Sequence, residues 1–312
     1  MVFDLLDNPK TRNLVRQVLV CARQYELRED YRSRLLFGSS NSNNNHNNEL
    51  QQDVLVQLVH PDIFPDCTDT ISPQGIVAIV DIPDIDNAFT ITNTATTAND
   101  NDPVAAATAT APMYLVLDGV SDPGNLGTLL RTSLAVGVAG VVLLPDCCDV
   151  WNPKAVRSAM GASFQIPILE SPSWHDALST LHESKGVQSV YAATMIDEND
   201  EDGNGDDNDE NAAPNASIPY FDVDWTKGPS ALVIGSEGNG LSAPVRQDLI
   251  LRRKCSRETA TAASDENSDV DGVIVVGATH IPMGAGIESL NAAVCGSVIL
   301  FEYARQCQRT VS

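Results

Sequence analysis

From residue 113 onward, short apolar runs of strand length alternate with longer stretches of helical periodicity, and no other feature constrains the fold as strongly. Residues 114–117, 140–144, 166–169, 190–193, 231–234 and 273–276 read as strands. Residues 123–136, 153–160, 174–182 and 289–306 read as helices. Parallel strands need long crossovers, and helices supply them. The pattern therefore predicts an α/β fold, with a mainly parallel sheet covered by helices on both faces. Ligands of such sheets bind at the carboxyl ends of the strands. Three polar, glycine-containing segments fall on that edge.

The first runs from Asp118 to Ser133. Asp122 is a good N-cap and Pro123 suits the first helical position, so a helix starts there directly after a strand. Gly124, Gly127 and Arg131 share one helical face, and the glycines leave room for a ligand backbone beside the cation. Asn125 lies in the first turn, where free N–H groups favour anions. The same residues also suit a capped helix whose glycines permit tight packing. The second segment, Leu232–Leu241, is a strand running into a loop with Gly235, Gly238, Gly240 and one acid, Glu237. Its glycines bring main-chain N–H groups near a ligand, but their order is neither the dinucleotide fingerprint nor a P-loop. In the third, Ile281 to Glu302, a strand end and a glycine-containing turn lead into a helix with Ser289 and Asn291 in its first turn. Those two residues also suit plain capping. Ala292, Ala293, Gly296 and Ser297 favour close helix packing.

Charge is the counterweight. Nineteen Lys and Arg against 42 Asp and Glu give a net −23, whereas nucleic-acid binders need cations to neutralise phosphates. The acids are unevenly placed. Residues 197–211 contain nine of them and no apolar side chain, and without them the charge is −14. Such a segment cannot offset its ordering entropy by burial, so a solvated insert projecting away from any RNA-binding face is expected at 197–217, with a milder one at 255–271. The Ser/Asn-rich run at 39–48 reads the same way.

The domain plan is an N-terminal unit at 1–85, a Thr/Ala-rich linker at 86–112 and a main domain at 113–312. In the first unit, residues 8–23 are helical in pattern, and residues 54–58 and 75–80 are strand-like. Seven cysteines form no C-x-x-C pair and five histidines show no ligand spacing, so neither a disulfide framework nor a metal site is expected. No apolar run approaches the roughly 20 residues that span a bilayer. The acidic start lacks the character of a targeting peptide. A soluble intracellular protein is the expectation, in the cytoplasm or in an organelle such as a mitochondrion or plastid.

Taken in order, the three segments resemble the signature motifs of the SpoU (TrmH) family in the SPOUT superfamily, approximately D-P-x-N-x-G-x-x-x-R, G-x-E-G-x-G and I-P-M-x-x-x-x-x-S-L-N. Asp122, Pro123, Asn125, Gly127 and Arg131 fill the first motif. Gly235, Glu237, Gly238 and Gly240 fill the second, and Ile281, Pro282, Met283, Ser289, Leu290 and Asn291 the third. The resemblance implies a C-terminal deep trefoil knot and a small α/β L30e-like RNA-binding domain before it, divergent or shortened at its start. Residues 60–84 look like the segment that joins the two. It implies S-adenosylmethionine as cofactor, held by Gly235, Ile281, Met283, Ser289 and Leu290, and no metal. It further implies methyl transfer to a ribose 2′-hydroxyl, with ribosomal RNA favoured over tRNA and guanosine as target. Arg131 would help deprotonate the acceptor together with a substrate phosphate, and Asn125, Glu237, Ser289 and Asn291 would orient the groups. A homodimer packed through the knot region completes the expectation. The competing readings are a non-catalytic RNA-binding relative, a tRNA 2′-O-methyltransferase and a nucleotide-dependent Rossmann enzyme.

Overall fold

The computed structural model describes residues 1–36, 54–68, 70, 72–83, 89, 111–194, 217–250, 275–284 and 289–310. The acidic insert at 197–211, the Ser/Asn run at 39–48, the segment 255–271 and nearly all of the linker lie outside the described residues. The chain divides into two compact units, Met1–Asp84 and Ile85–Ser312.

The first unit contains helices α1 (Val2–Asp7), α2 (Pro9–Arg12), α3 (Ala22–Leu27) and α4 (Glu29–Leu36), with strands β1 (Val15–Cys21), β2 (Leu55–Val59) and β3 (Ile76–Val80). β1 is central, parallel to β2 and antiparallel to β3. The helix expected over residues 8–23 is therefore wrong beyond Arg12. Leu14, Val15, Val18 and Leu19 imitate a helical stripe, but β-branched side chains suit a pleated strand. Pairing on both edges satisfies the backbone of β1, and Val15, Val18 and Val20 are buried.

In the second unit seven strands form one sheet: β4 (Met113–Asp118), β5 (Gly140–Leu143), β6 (Ile168–Glu170), β7 (Ser189–Ala193), β8 (Ile218–Pro219), β9 (Ser230–Gly235) and β10 (Val275–His280). Their order is β6-β5-β4-β9-β7-β10-β8, and every neighbouring pair is parallel. All six residues of β4 are buried, because alternate side chains enter different cores. Met113, Leu115 and Leu117 pack with α5 (Pro123–Val136), α6 (Pro153–Ala159) and α9 (Ala292–Thr310). Tyr114 and Val116 pack with α7 (Trp174–Ser179) and α8 (residues 243–250). Helices thus cover both faces, as the alternation predicts.

Local chemistry starts and stops the helices. Asp122 Oδ1 accepts from Asn125 N at 2.9 Å to cap α5, which ends at Gly137 in the left-handed conformation. Asn152 caps α6 in the same way. α9 begins at Ala292, later than the sequence pattern suggests, because Asn291 Oδ1 accepts from Ala293 N and Val294 N at 3.0 and 3.2 Å. Asn291 is thus the cap, and Ser289 lies ahead of the helix.

Candidate active site

β9 delivers Gly235 to the carboxyl edge of the sheet, and the chain turns straight back. Ser236 N donates to Gly240 O at 2.9 Å, and Gly240 N to Ser236 O at 3.0 Å. A Cβ on Gly235 would lie 2.5 Å from Gly240 O, so the turn closes only over a glycine. Beside it, the buried carboxylate of Asp118 at the end of β4 accepts from Ser242 N at 2.6 Å, which ties the returning strand of the turn to its neighbour.

Glu237 stands on this turn, and its Oε1 gathers donors from the other two segments. Asn125 Nδ2 donates at 2.7 Å and Ala292 N at 3.2 Å, and Asn291 Nδ2 donates to the same atom. Asn291 Nδ2 also donates to Asn125 Oδ1 at 3.0 Å. The amide of Asn291 has one workable orientation, because its oxygen already serves the first N–H groups of α9. Capping and site formation are one arrangement.

A cavity of about 340 Å³ opens beside the cluster. The sequence-derived residues Gly235, Glu237, Ile281, Met283, Ser289 and Leu290 line it, as does Ala292, read from the sequence only as a packing residue, together with residues the sequence reading did not single out: Ala193, Thr194, Thr279, His280 and Cys295. Thr194 follows the last residue of β7, and Thr279 and His280 end β10, so the strand-end rule alone could have found them. His280 Nδ1 meets the buried Ser217 hydroxyl at 2.8 Å. Burial pushes the Cys295 thiol up to about 11.

Two expectations for α5 need correction. The space above Gly127 is filled by α6: a Cβ there would lie 2.5 Å from both Ala155 O and Ser158 Cβ. That glycine serves helix packing and leaves no room for a ligand backbone. The N–H of Asn125 is likewise already bonded, to the Asp122 carboxylate. Arg131 lies six residues beyond Asn125, roughly 9 Å of helical rise. It is exposed and makes no polar contact among the described residues. The structure thus joins Asn125, Glu237 and Asn291, sets Ser289 on the cavity wall, and leaves Arg131 apart from them.

Residues 112–254 match the SpoU rRNA methylase family. The chain carries a SpoU-family methylase domain. The match takes in the first two segments and thus Asn125 and Glu237 of the cluster. The chain as a whole is 30% identical over 276 residues to rRNA methyltransferase 3A, mitochondrial, of Danio rerio, covering 83% of this chain and 55% of that protein. It is 27% identical over 255 residues to the 23S rRNA (guanosine(2553)-2′-O)-methyltransferase RlmP of Bacillus subtilis, covering 81% and 74%. The chain thus spans little more than half the length of the mitochondrial relative. In fold, it superposes on the SpoU methyltransferase AviRb from Streptomyces viridochromogenes in complex with the cofactor AdoMet, with a TM-score of 0.57, 22% identity, and coverage of 97% and 95% of the two chains. The parallel sheet of the SpoU domain is therefore shared with that fold.

Proposed function

We propose that the chain is an S-adenosylmethionine-dependent RNA methyltransferase whose acceptor is a ribose 2′-hydroxyl of ribosomal RNA, with guanosine as target nucleoside. The observation that carries this reading is the joining of three separate strand-end segments by Glu237 Oε1 beside a cavity of ligand size. The relatives' names support the RNA class, and the RlmP name supports the 2′-O position and guanosine.

The cavity suits the cofactor. Ile281, Met283 and Leu290 offer apolar walls for a heterocycle, while Gly235 and Ser289 offer main-chain groups and a hydroxyl to its polar parts. When bound, the sulfonium supplies the reactive methyl group. The chain's own residues position the acceptor. Asn125 and Asn291 are held in fixed orientation by Glu237, so they present polar groups without reorganisation cost. Ser289 orients the ribose from the cavity wall. Arg131 holds a substrate phosphate beside the acceptor through its guanidinium, and a non-bridging oxygen of that phosphate takes the hydroxyl proton.

The finer architecture belongs to the same proposal. A C-terminal trefoil knot is supported by the path of the chain, since β10 lies beyond β7 while α9 returns to pack on β9 and α5. A homodimer is supported by Val294 and Phe301, seven residues apart on α9 and 49% and 58% exposed. The first unit serves as an L30e-like RNA-binding domain. Among the described residues no helix is long and apolar enough to cross a membrane. The mitochondrial names of relatives make that organelle the compartment to examine by a fluorescent fusion.

The deciding experiment incubates the protein with labelled S-adenosylmethionine and unmodified rRNA, then maps ribose methylation. Transfer to a 2′-hydroxyl is expected, and Arg131→Ala and Asn291→Ala should lower it by about a hundredfold, the scale of losing one positioned polar group. Absence of transfer would favour a non-catalytic RNA-binding protein. Methylation of a base alone would overturn the acceptor assignment.

A further inference from the structure

A chain of net charge −23 must bind RNA with few cations, so their placement is informative. Two of them, Lys154 and Arg157, stand exposed one turn apart on α6. α6 is seated closely on the first turns of α5. Gly127 admits the backbone of Ala155 and Ala159, Ser158 Oγ donates to Gly124 O at 2.9 Å, and Thr128 and Ser158 hydroxyls meet at 3.3 Å. The helix that α6 rests on is the one that supplies Asn125 to the cluster. Lys154 reaches over that helix's start: its Nζ lies 3.8 Å from where a Cβ of Gly124 would be, and 3.1 Å from Asp122 Oδ2. Arg131 follows Gly124 on the same stripe of α5, roughly 10.5 Å farther along the axis. It too is exposed.

We infer that Lys154 and Arg157, together with Arg131, form a strip that takes consecutive phosphates of the substrate RNA beside the nucleotide at the Asn125–Glu237–Asn291 cluster. The inference rests on the RNA-directed reading above and extends it to residues of α6. An exposed Lys–Asp pair such as Lys154–Asp122 is worth little, so Lys154 can turn to a phosphodiester at small cost. Phosphate contacts of this kind carry register and affinity without base information. They also explain how an acidic chain can hold RNA: the favourable charge is local, and the Debye length of about 8 Å at physiological salt hides the remainder. The competing role for Lys154 is a staple between α6 and the cap of α5.

The test measures binding of a fluorescein-labelled 30-nucleotide single-stranded RNA of mixed sequence by anisotropy between 50 and 200 mM KCl, using the full chain. For Lys154→Gln/Arg157→Gln we expect the slope of log K against log salt to shrink by about 1 to 1.5, with about tenfold weaker binding near 100 mM. Lys154→Arg/Arg157→Lys should restore both. A control pair, Lys227→Gln/Arg246→Gln, removes the same charge from exposed positions elsewhere in the unit and should change affinity less than about twofold. Equal losses in both pairs would overturn the strip in favour of bulk charge. An unchanged slope with a lowered Tm would overturn it in favour of the staple. If the wild type binds RNA through the strip and transfers no methyl group, the strip stands and the methyltransferase reading falls. If it methylates normally while the strip variants bind as the wild type does, the strip falls alone.

Discussion

Glu237 Oε1 is shared by three N–H donors, so replacing the side chain separates charge from geometry. Glu237→Gln keeps an acceptor oxygen and should leave Tm close to wild type while methyl transfer drops at least about tenfold. Glu237→Ala removes the acceptor that holds Asn125 and Asn291 together, and because both Glu237 and Asn291 are exposed the freed donors turn to water, so the cost in calorimetry should stay at about 0.5–1 kcal/mol. Transfer at the wild-type rate by the Gln variant would show that the carboxylate only holds shape. Cys295 gives a pH readout in the same cavity. With its thiol pushed up to about 11, alkylation followed by mass spectrometry should be slow at neutral pH and rise about tenfold per pH unit toward that value. Labelling at pH 7 as fast as a free thiol would contradict the burial. Of these residues, Asn125, Glu237 and Asn291 were legible in the sequence because motif spacing marks them. Cys295 was not, since it reaches the cavity from a helix face that only the fold brings there, whereas Thr194 and His280 needed no more than the rule that strand ends line ligand sites.

α5 was legible nearly to the residue because its punctuation is local: Asp122 and Pro123 at the start, Gly137 at the end. β1 was not, since its central pairing overrides a stripe that also reads as helix. The Asn125 N–H, and secondarily Lys154, holds the Asp122 carboxyl below the usual carboxylate range. Its stabilisation is therefore present at neutral pH and is lost as pH falls through the lowered folded value. Asp122→Ala should cost about 1 kcal/mol in urea unfolding at pH 7, and the difference from wild type should shrink in acid. A difference constant down to pH 2 would mean that the carboxylate is not the cap. Gly127→Ala tests the α5–α6 contact. The added methyl meets backbone at 2.5–2.8 Å, so a loss of about 1–3 kcal/mol is expected, and a stabilised variant would refute the packing.

Across the whole molecule, the parallel sheet with helices on both faces could be read from strand–helix alternation, because burial on both faces makes the central strands such as β4 and β5 continuous apolar runs. The insert at 197–211 is legible in the sequence only as composition. Of its nearest described neighbours, Thr194 lines the cavity and Ser217 bonds the cavity residue His280, so the expectation that it projects away is open to a direct check. Replacing its nine acids by Asn and Gln should change the KM for RNA less than about twofold at 0.15 M salt, where the Debye length is about 8 Å. A larger drop would place those charges over the site. The cluster joins residues far apart in sequence, Asn125 and Asn291 standing 166 positions from each other. During synthesis Asn125 and Glu237 emerge without the partner that orients them, and Asn291 arrives together with the helix it caps. A chain cut short before residue 291 would therefore carry two of the three side chains without the amide that joins them, however well its sheet had formed.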